Sequence, residues 1–285
     1  MTPPIIFLHG AFCGGWAFDG FRRQFEAQGF ETHAPNLPHH EPGADLERLA
    51  GCGVRDYAEV IAAYAQDLDQ PPILIGHSLG GLVAQLVAAR VPCAGLAVIG
   101  SSPPWGVRPT TFDEQGASLG LMFLGDYWRR PVAPDFSVAM RTTLDRLPRE
   151  QAREAFKHFV PESGRAIFET VQWWLDHERS TLVEAEAISA PVLTIAGGQD
   201  RVNSAATVRQ IATRFRPGQA RFVEFPEMSH WLIGEPEWPL VAQTVLEWLD
   251  EQGVAASAAA SLPRYPRRRR REAPLKAAAR PAAAR

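Results

Sequence analysis

A chain of 285 residues is long enough for one sizeable domain with its own core and an inserted subdomain. Apolar residues make up 46% and charged residues 21%, which fits a soluble globular protein. The formal charge of −3 hides an asymmetry: Val254–Arg285 carries nine Lys/Arg against the single acid Glu272, so +8, and the body up to Gly253 carries −11. An acidic body gives no reason to expect nucleic acid or anionic substrates as its ligands.

The three cysteines, Cys13, Cys52 and Cys93, are odd in number and scattered. They form neither a disulfide framework nor a metal-ligand spacing, and fit reduced thiols in a cytoplasm. Met1-Thr2-Pro3-Pro4 runs straight into an apolar tetrad, without the basic region and long apolar stretch of a signal peptide. No stretch approaches the length of a membrane span. A cytoplasmic location is therefore expected.

In chain order, Ile5–Leu8 predicts a buried strand ending at His9-Gly10. A helix is predicted over about Gly20–Gln28, stopped by Gly29. Glu31–Ala34 reads as a second strand, closed by Pro35 and Pro38. Asp56–Asp69 carries Tyr57, Val60, Ile61, Tyr64 and Leu68 at helical spacing. Ile73-Leu74-Ile75 is a strand, followed by Gly76-His77-Ser78-Leu79-Gly80-Gly81 and a helix from about Leu82 to Arg90. Gly95–Ile99 and Val192–Ala196 are apolar strands, Arg221–Phe225 alternates as a further strand, and Trp238–Glu251 is an amphipathic helix.

The alternation predicts an α/β fold: a mostly parallel central sheet flanked by helices. Between about Pro103 and Glu186 the pattern is helical, without a strand, and rich in Trp105, Phe112, Met122, Phe123, Tyr127, Trp128, Phe156, Trp173 and Trp174. We read residues 103–187 as a helical cap inserted into a core made of 1–102 and 188–252. The Ala/Pro/Arg-rich tail, 253–285, includes five arginines from Arg267 to Arg271. It buries too little to offset its ordering entropy, so disorder is expected there.

Gly76-His77-Ser78-Leu79-Gly80 matches Gly-x-Ser-x-Gly in a strand–turn–helix setting. Such a turn lifts the Ser78 hydroxyl out of the sheet, with a helix N-terminus behind it favouring negative charge. A serine nucleophile needs a base. Of eight histidines, His230 lies beyond the last predicted strand, near the carboxyl edge where open α/β sheets bind ligands. The base needs a carboxylate, and Asp200 ends the loop after Val192–Ala196, whereas Ser101-Ser102-Pro103-Pro104 offers no acid after the preceding strand. The order Ser78, Asp200, His230 is the order of this arrangement on α/β-hydrolases. Oxyanion donors are expected from the backbone of Leu79 and of Ala11, with Phe12 as the alternative to Ala11.

On these residues the chain resembles the α/β-hydrolase superfamily over nearly all of 1–252. Phe7–Trp16 resembles the opening of the small plant esterase and hydroxynitrile lyase group. The resemblance implies a Ser78–Asp200–His230 triad and an Ala11/Leu79 oxyanion hole. One departure is that the two antiparallel strands usual before His9-Gly10 are not seen, which is expected to expose a sheet edge.

Ser78 argues against relatives that use Asp at this turn. Ester or thioester hydrolysis without a cofactor is the expected reaction, on a small-molecule ester with an apolar moiety. Perhydrolysis, lyase chemistry, or a slowly hydrolysing ligand receptor are the alternatives. Lyases of this group resemble a lysine-assisted site, and the chain holds only Lys157 and Lys276. Phe12, Trp105, Trp173, Trp174 and Trp231 are candidate walls of the substrate pocket. His39-His40 lacks a third ligand, so no metal is expected.

Overall fold

The structure is a computed structural model that describes residues 2–254 and the backbone of Arg271–Glu272. Four apolar runs of four to six residues build its centre. β1 (Ile5–Leu8), β3 (Ile73–His77), β4 (Gly95–Ile99) and β7 (Val192–Gly197) are buried at every position. Strands covered on both faces need apolar side chains on both, and these have them. Ile5, Phe7, Ile73, Ile75, Ala97 and Ile99 face one core cluster, while Ile6, Leu8, Leu74, Leu96 and Val98 face another.

With β2 (Thr32–His33) and β8 (Ala220–Phe225), six parallel strands run in the order β2-β1-β3-β4-β7-β8. The two-residue β9 (Arg271–Glu272) pairs antiparallel with Val223–Glu224. The rest of the expected disordered tail beyond Val254 lies outside the described residues. The chain leaves β1 for β2 on one side and returns to β3 on the other. That reversal opens a crevice at the carboxyl ends of β1 and β3.

On the first core cluster lie α1 (Asp19–Glu26), through Phe21 and Phe25, and α10 (Trp238–Glu251), through Val241, Ala242, Val245, Trp248 and Leu249. The short α2 (Leu46–Gly51) leads into α3 (Val54–Gln66), which buries Val54, Tyr57, Ala58, Ile61, Ala62 and Ala65 on the other face; of the stripe expected from the sequence Tyr57 and Ile61 are buried, whereas Val60 and Tyr64 are exposed. α4 (Leu79–Ala88) is buried at every position and begins directly after Ser78, three residues before the expected Leu82. Gly80 and Gly81 are poor helix formers. They belong to α4 because a side chain at Gly80 would strike the Leu8 and His9 carbonyl oxygens, and one at Gly81 the Ser101 side chain. β2 is shorter than expected, two residues in place of Glu31–Ala34.

Between β4 and β7 the elements are α5 (Phe112–Leu121), β5 (Pro131–Val132), α6 (Phe136–Ala139), α7 (Arg149–Phe156), β6 (Glu162–Ser163) and α8 (Gly164–Val171), with 3-10 turns between them. The antiparallel pair β5–β6 was not expected. Two-residue strands leave no periodicity to read. The remaining helix of the core set, α9 (Ala205–Ala212), is capped by Ser204, whose hydroxyl accepts the Thr207 N–H. No helix among the described residues is long and apolar enough to cross a membrane.

Candidate active site

The carboxyl ends of β1, β3, β7 and β8 bring the predicted residues together. β3 ends in Gly76-His77, and Ser78 turns the chain into α4 with φ 52 and ψ −121. A non-glycine residue held there stores about 1–3 kcal/mol of strain, which the packing must maintain. Gly76 and Gly80 make the turn possible, since a β-carbon on Gly76 would collide with the Gly80 carbonyl.

The Ser78 hydroxyl donates to His230 Nε2 at 3.0 Å, and His230 Nδ1–H donates to Asp200 Oδ2 at 2.8 Å. Ser78, Asp200 and His230 are all buried. The other Asp200 oxygen accepts the Val202 and Asn203 N–H groups at 2.7 and 2.9 Å, and Asn203 Nδ2 donates to the Gly100 carbonyl at 2.9 Å. The carboxylate is thereby aimed and cannot rotate away without losing two donors. The neighbouring His77 donates from Nε2 to the His230 carbonyl at 2.8 Å, and burial, then the His230 ring, lowers it to about 3. It is a neutral strut for the histidine loop.

Gly10 lies against this serine: a β-carbon there would sit 3.0 Å from Ser78 Cβ. The Gly10 carbonyl accepts His9 Nδ1–H at 2.9 Å and Cys13 N–H at 3.3 Å. The Gly10–Ala11 peptide is trans, so the Ala11 N–H points opposite to that carbonyl. The Leu79 N–H is the first of α4 and lies outside the helix's own ladder. Phe12 follows with φ 63, its carbonyl accepting Val160 N–H at 2.9 Å. A hydroxyl so arranged can pass its proton to imidazole as it attacks a carbonyl carbon.

The five candidate wall residues divide. Phe12 is in the turn after β1, and Trp231 follows His230. Trp231 is buried, 6.1 Å from the Trp16 and Phe159 rings and edge-on to His77. Trp105, Trp173 and Trp174 form a cluster of their own, with ring centroids 5.4 and 5.9 Å apart and the Arg179 guanidinium over Trp105. Trp174 is partly exposed. A cavity of about 680 Å³ opens elsewhere, among Trp128, Arg129, Arg165, Phe168, Leu175 and His177, and none of the five lines it. Lys157 is exposed and paired with Glu154. Among the described residues no group of three or more His, Cys, Asp or Glu is gathered as a metal would require.

A model described as the alpha/beta hydrolase family matches residues 5–244. The chain belongs to the alpha/beta hydrolase family. Within that family it is 28% identical to a pyrethroid hydrolase of Sphingobium wenxiniae over 86% of this chain and 87% of that one. It is likewise 28% identical to a pimeloyl-acyl-carrier-protein methyl ester esterase of Chromobacterium violaceum, over 80% and 87%. Among solved structures, a methylesterase from Arabidopsis superposes with a TM-score of 0.66 at 16% identity, covering 87% of this chain and 99% of that one, a likeness of fold.

Sequence reasoning missed three buried carboxylates around the site. Glu114, at the start of α5, accepts the Ser204 N–H at 2.8 Å beside the Asp200 loop. Glu235 accepts the Ser229 N–H with both oxygens, at 3.0 and 3.1 Å. Glu162 pairs with His40. Glu235 had a weak sequence signal, an acid directly after the apolar run Trp231-Leu232-Ile233-Gly234. Glu162 had none, because His40 is 122 positions away.

Proposed function

We propose that this alpha/beta hydrolase cleaves carboxylic esters through an acyl-enzyme on Ser78, with His230 as general base and Asp200 as its orienting acid. One observation carries the reading: the buried relay from the Ser78 hydroxyl to His230 at 3.0 Å and from His230 to Asp200 at 2.8 Å. As Ser78 Oγ bonds to the ester carbonyl carbon, its proton passes to His230 Nε2. Asp200 stabilises the imidazolium, and the Ala11 and Leu79 N–H groups hold the oxyanion. Collapse breaks the bond to the alcohol oxygen, which leaves with the proton from His230. Water, deprotonated by His230, then releases the acid and restores Ser78.

Two relatives of this family member are named as ester-cleaving or pyrethroid-hydrolysing enzymes, which supports this class of reaction. The acidic body favours a neutral ester over an anionic one. Residues 103–187 are in this reading the cap that selects the substrate, with Phe12 and Trp231 on the side nearer Ser78.

The test is covalent labelling with a serine-directed fluorophosphonate, the adduct mapped by peptide mass spectrometry, together with turnover of p-nitrophenyl acetate and butyrate. The adduct is expected on Ser78, and Ser78→Ala is expected to abolish turnover while the protein still folds. Turnover retained in that variant would assign the nucleophile elsewhere.

A further inference from the structure

The proposed mechanism leaves unused a buried ion pair beside the oxyanion loop. The His40 and Glu162 side chains have no exposure, and His40 Nε2–H donates to Glu162 Oε2 at 3.0 Å. The other ring nitrogen donates to the Pro38 carbonyl at 3.0 Å. Both nitrogens face acceptors, so His40 is an imidazolium. Glu162 Oε1 accepts the Tyr57 hydroxyl at 2.8 Å and the Ser163 N–H at 2.7 Å. A group that only accepts is a carboxylate. Burial opposes both charges, but mutual attraction and the hydrogen bonds outweigh it, holding His40 above and Glu162 below their ordinary ranges.

The loop that carries His40 also grips His9. Leu37 N–H donates to His9 Nε2 at 2.9 Å, His40 N–H donates to the Leu37 carbonyl at 3.1 Å, and the His40 and His9 rings lie 5.2 Å apart. Burial, then the His40 charge, lowers His9 to about 3, so it is neutral. With Nε2 accepting, its one proton is on Nδ1, bonded to the Gly10 carbonyl. That carbonyl shares a planar peptide with the Ala11 N–H.

We infer that Glu162, acting through His40 and His9, is a positioning residue for the Gly10–Ala11 peptide, so that the segment between β4 and β7 sets the aim of an oxyanion donor. The inference rests on the assignment of Ala11 N–H to that role. Displacing a donor by about 1 Å lowers turnover by up to roughly 100-fold, with little effect on ground-state binding.

The experiment is steady-state hydrolysis of p-nitrophenyl acetate by the full chain carrying Glu162→Gln. It is paired with inhibition by an aryl trifluoromethyl ketone, whose serine adduct places an oxyanion in the hole. We expect kcat to fall roughly 10- to 100-fold with KM within about twofold, and ketone affinity to weaken in parallel with kcat. Tyr57→Phe removes one hydrogen bond and keeps the ion pair, and is expected to lower kcat in the same direction by about two- to tenfold. An unchanged kcat, or a loss confined to KM, overturns the inference. If Glu162→Gln does not fold, Tyr57→Phe decides by the same criterion. Absence of Ser78-dependent turnover in the unsubstituted chain instead sinks the hydrolase reading, and this inference with it.

Discussion

Glu235 is a carboxyl group held where its charge is unwelcome. It is fully buried, and its two oxygens share a single backbone donor, the Ser229 N–H next to His230. Burial first, and the nearby Asp145 carboxylate after it, raise the group to about 7, against the opposing pull of the Ser229 N–H and Arg146. A folded value above the ordinary 4.5 means that the fold prefers the protonated form. Its contribution to stability is therefore complete below pH ~4.5 and is lost as pH rises through ~7, on the order of 3 kcal/mol in all. Urea midpoints measured from pH 5 to 8 should fall with pH in the unsubstituted protein and flatten in Glu235→Gln. Parallel slopes in the two proteins would remove Glu235 as the source. Asp200→Asn acts differently at the same scale. It leaves packing intact but removes the acceptor that fixes the His230 tautomer, and p-nitrophenyl acetate turnover should fall on the order of 10⁴-fold. A mild loss would mean that another carboxylate orients the imidazole.

At the scale of elements, the starts of α5 and α9 are locked through one side chain. Thr111 caps α5 by accepting Glu114 N–H, and Glu114 returns by accepting the Thr111 N–H at 2.9 Å. The same carboxylate accepts Thr110 N–H, Ser204 N–H and the Thr207 hydroxyl. These donors outweigh the effect of burial and keep Glu114 below its ordinary range. Glu114→Ala should therefore lower the unfolding free energy by about 2–3 kcal/mol, since several part-buried donors lose their acceptor. The check is a shift in urea midpoint at unchanged slope, and a shift below about 0.5 kcal/mol would make the lock ornamental. Thr111 and Glu114 stand at capping-box spacing, a local signal that the sequence reading passed over, while the partners near position 204 leave no local signal at all. Local signals placed the apolar strands, because a strand covered on both faces must be an apolar run. They misplaced the start of α4, where tertiary contact at Gly80 overrides helix propensity, and they passed over β5 and β6. Ser78, Asp200 and His230, which the structure brings within hydrogen-bonding distance, could be picked out as candidates because each follows a predicted strand. Glu162 could not, because its meaning depends on a fold that brings residues 40, 57 and 162 together.

At the scale of the whole molecule, the segment between β4 and β7 is fastened to the rest by buried carboxylates at separate places. Glu114 reaches the start of α9, Glu162 reaches His40 and Tyr57, and Glu169 on α8 accepts the Val54 N–H at the start of α3 at 2.7 Å. Apolar packing adds to this, with Phe136, Met140, Phe156 and Phe159 set against the core cluster that holds Trp231 and Leu232. An insert joined only at its two chain ends would unfold by itself at lower denaturant, since loosely attached units open with smaller free energies. Here, opening it would expose apolar surface shared with the core and leave Glu162 or His40 as a buried charge without its partner, a loss of about 3–5 kcal/mol at that point alone. Insert and core should then unfold together. Trp105, Trp128, Trp173 and Trp174 report on the insert, and Trp16, Trp231, Trp238 and Trp248 on the core. In a urea titration, tryptophan fluorescence, far-ultraviolet circular dichroism and residual p-nitrophenyl acetate turnover should share one midpoint. A fluorescence change that precedes the loss of secondary structure, with turnover following the earlier event, would show that the insert comes away first and that its carboxylate anchors are too weak to hold it.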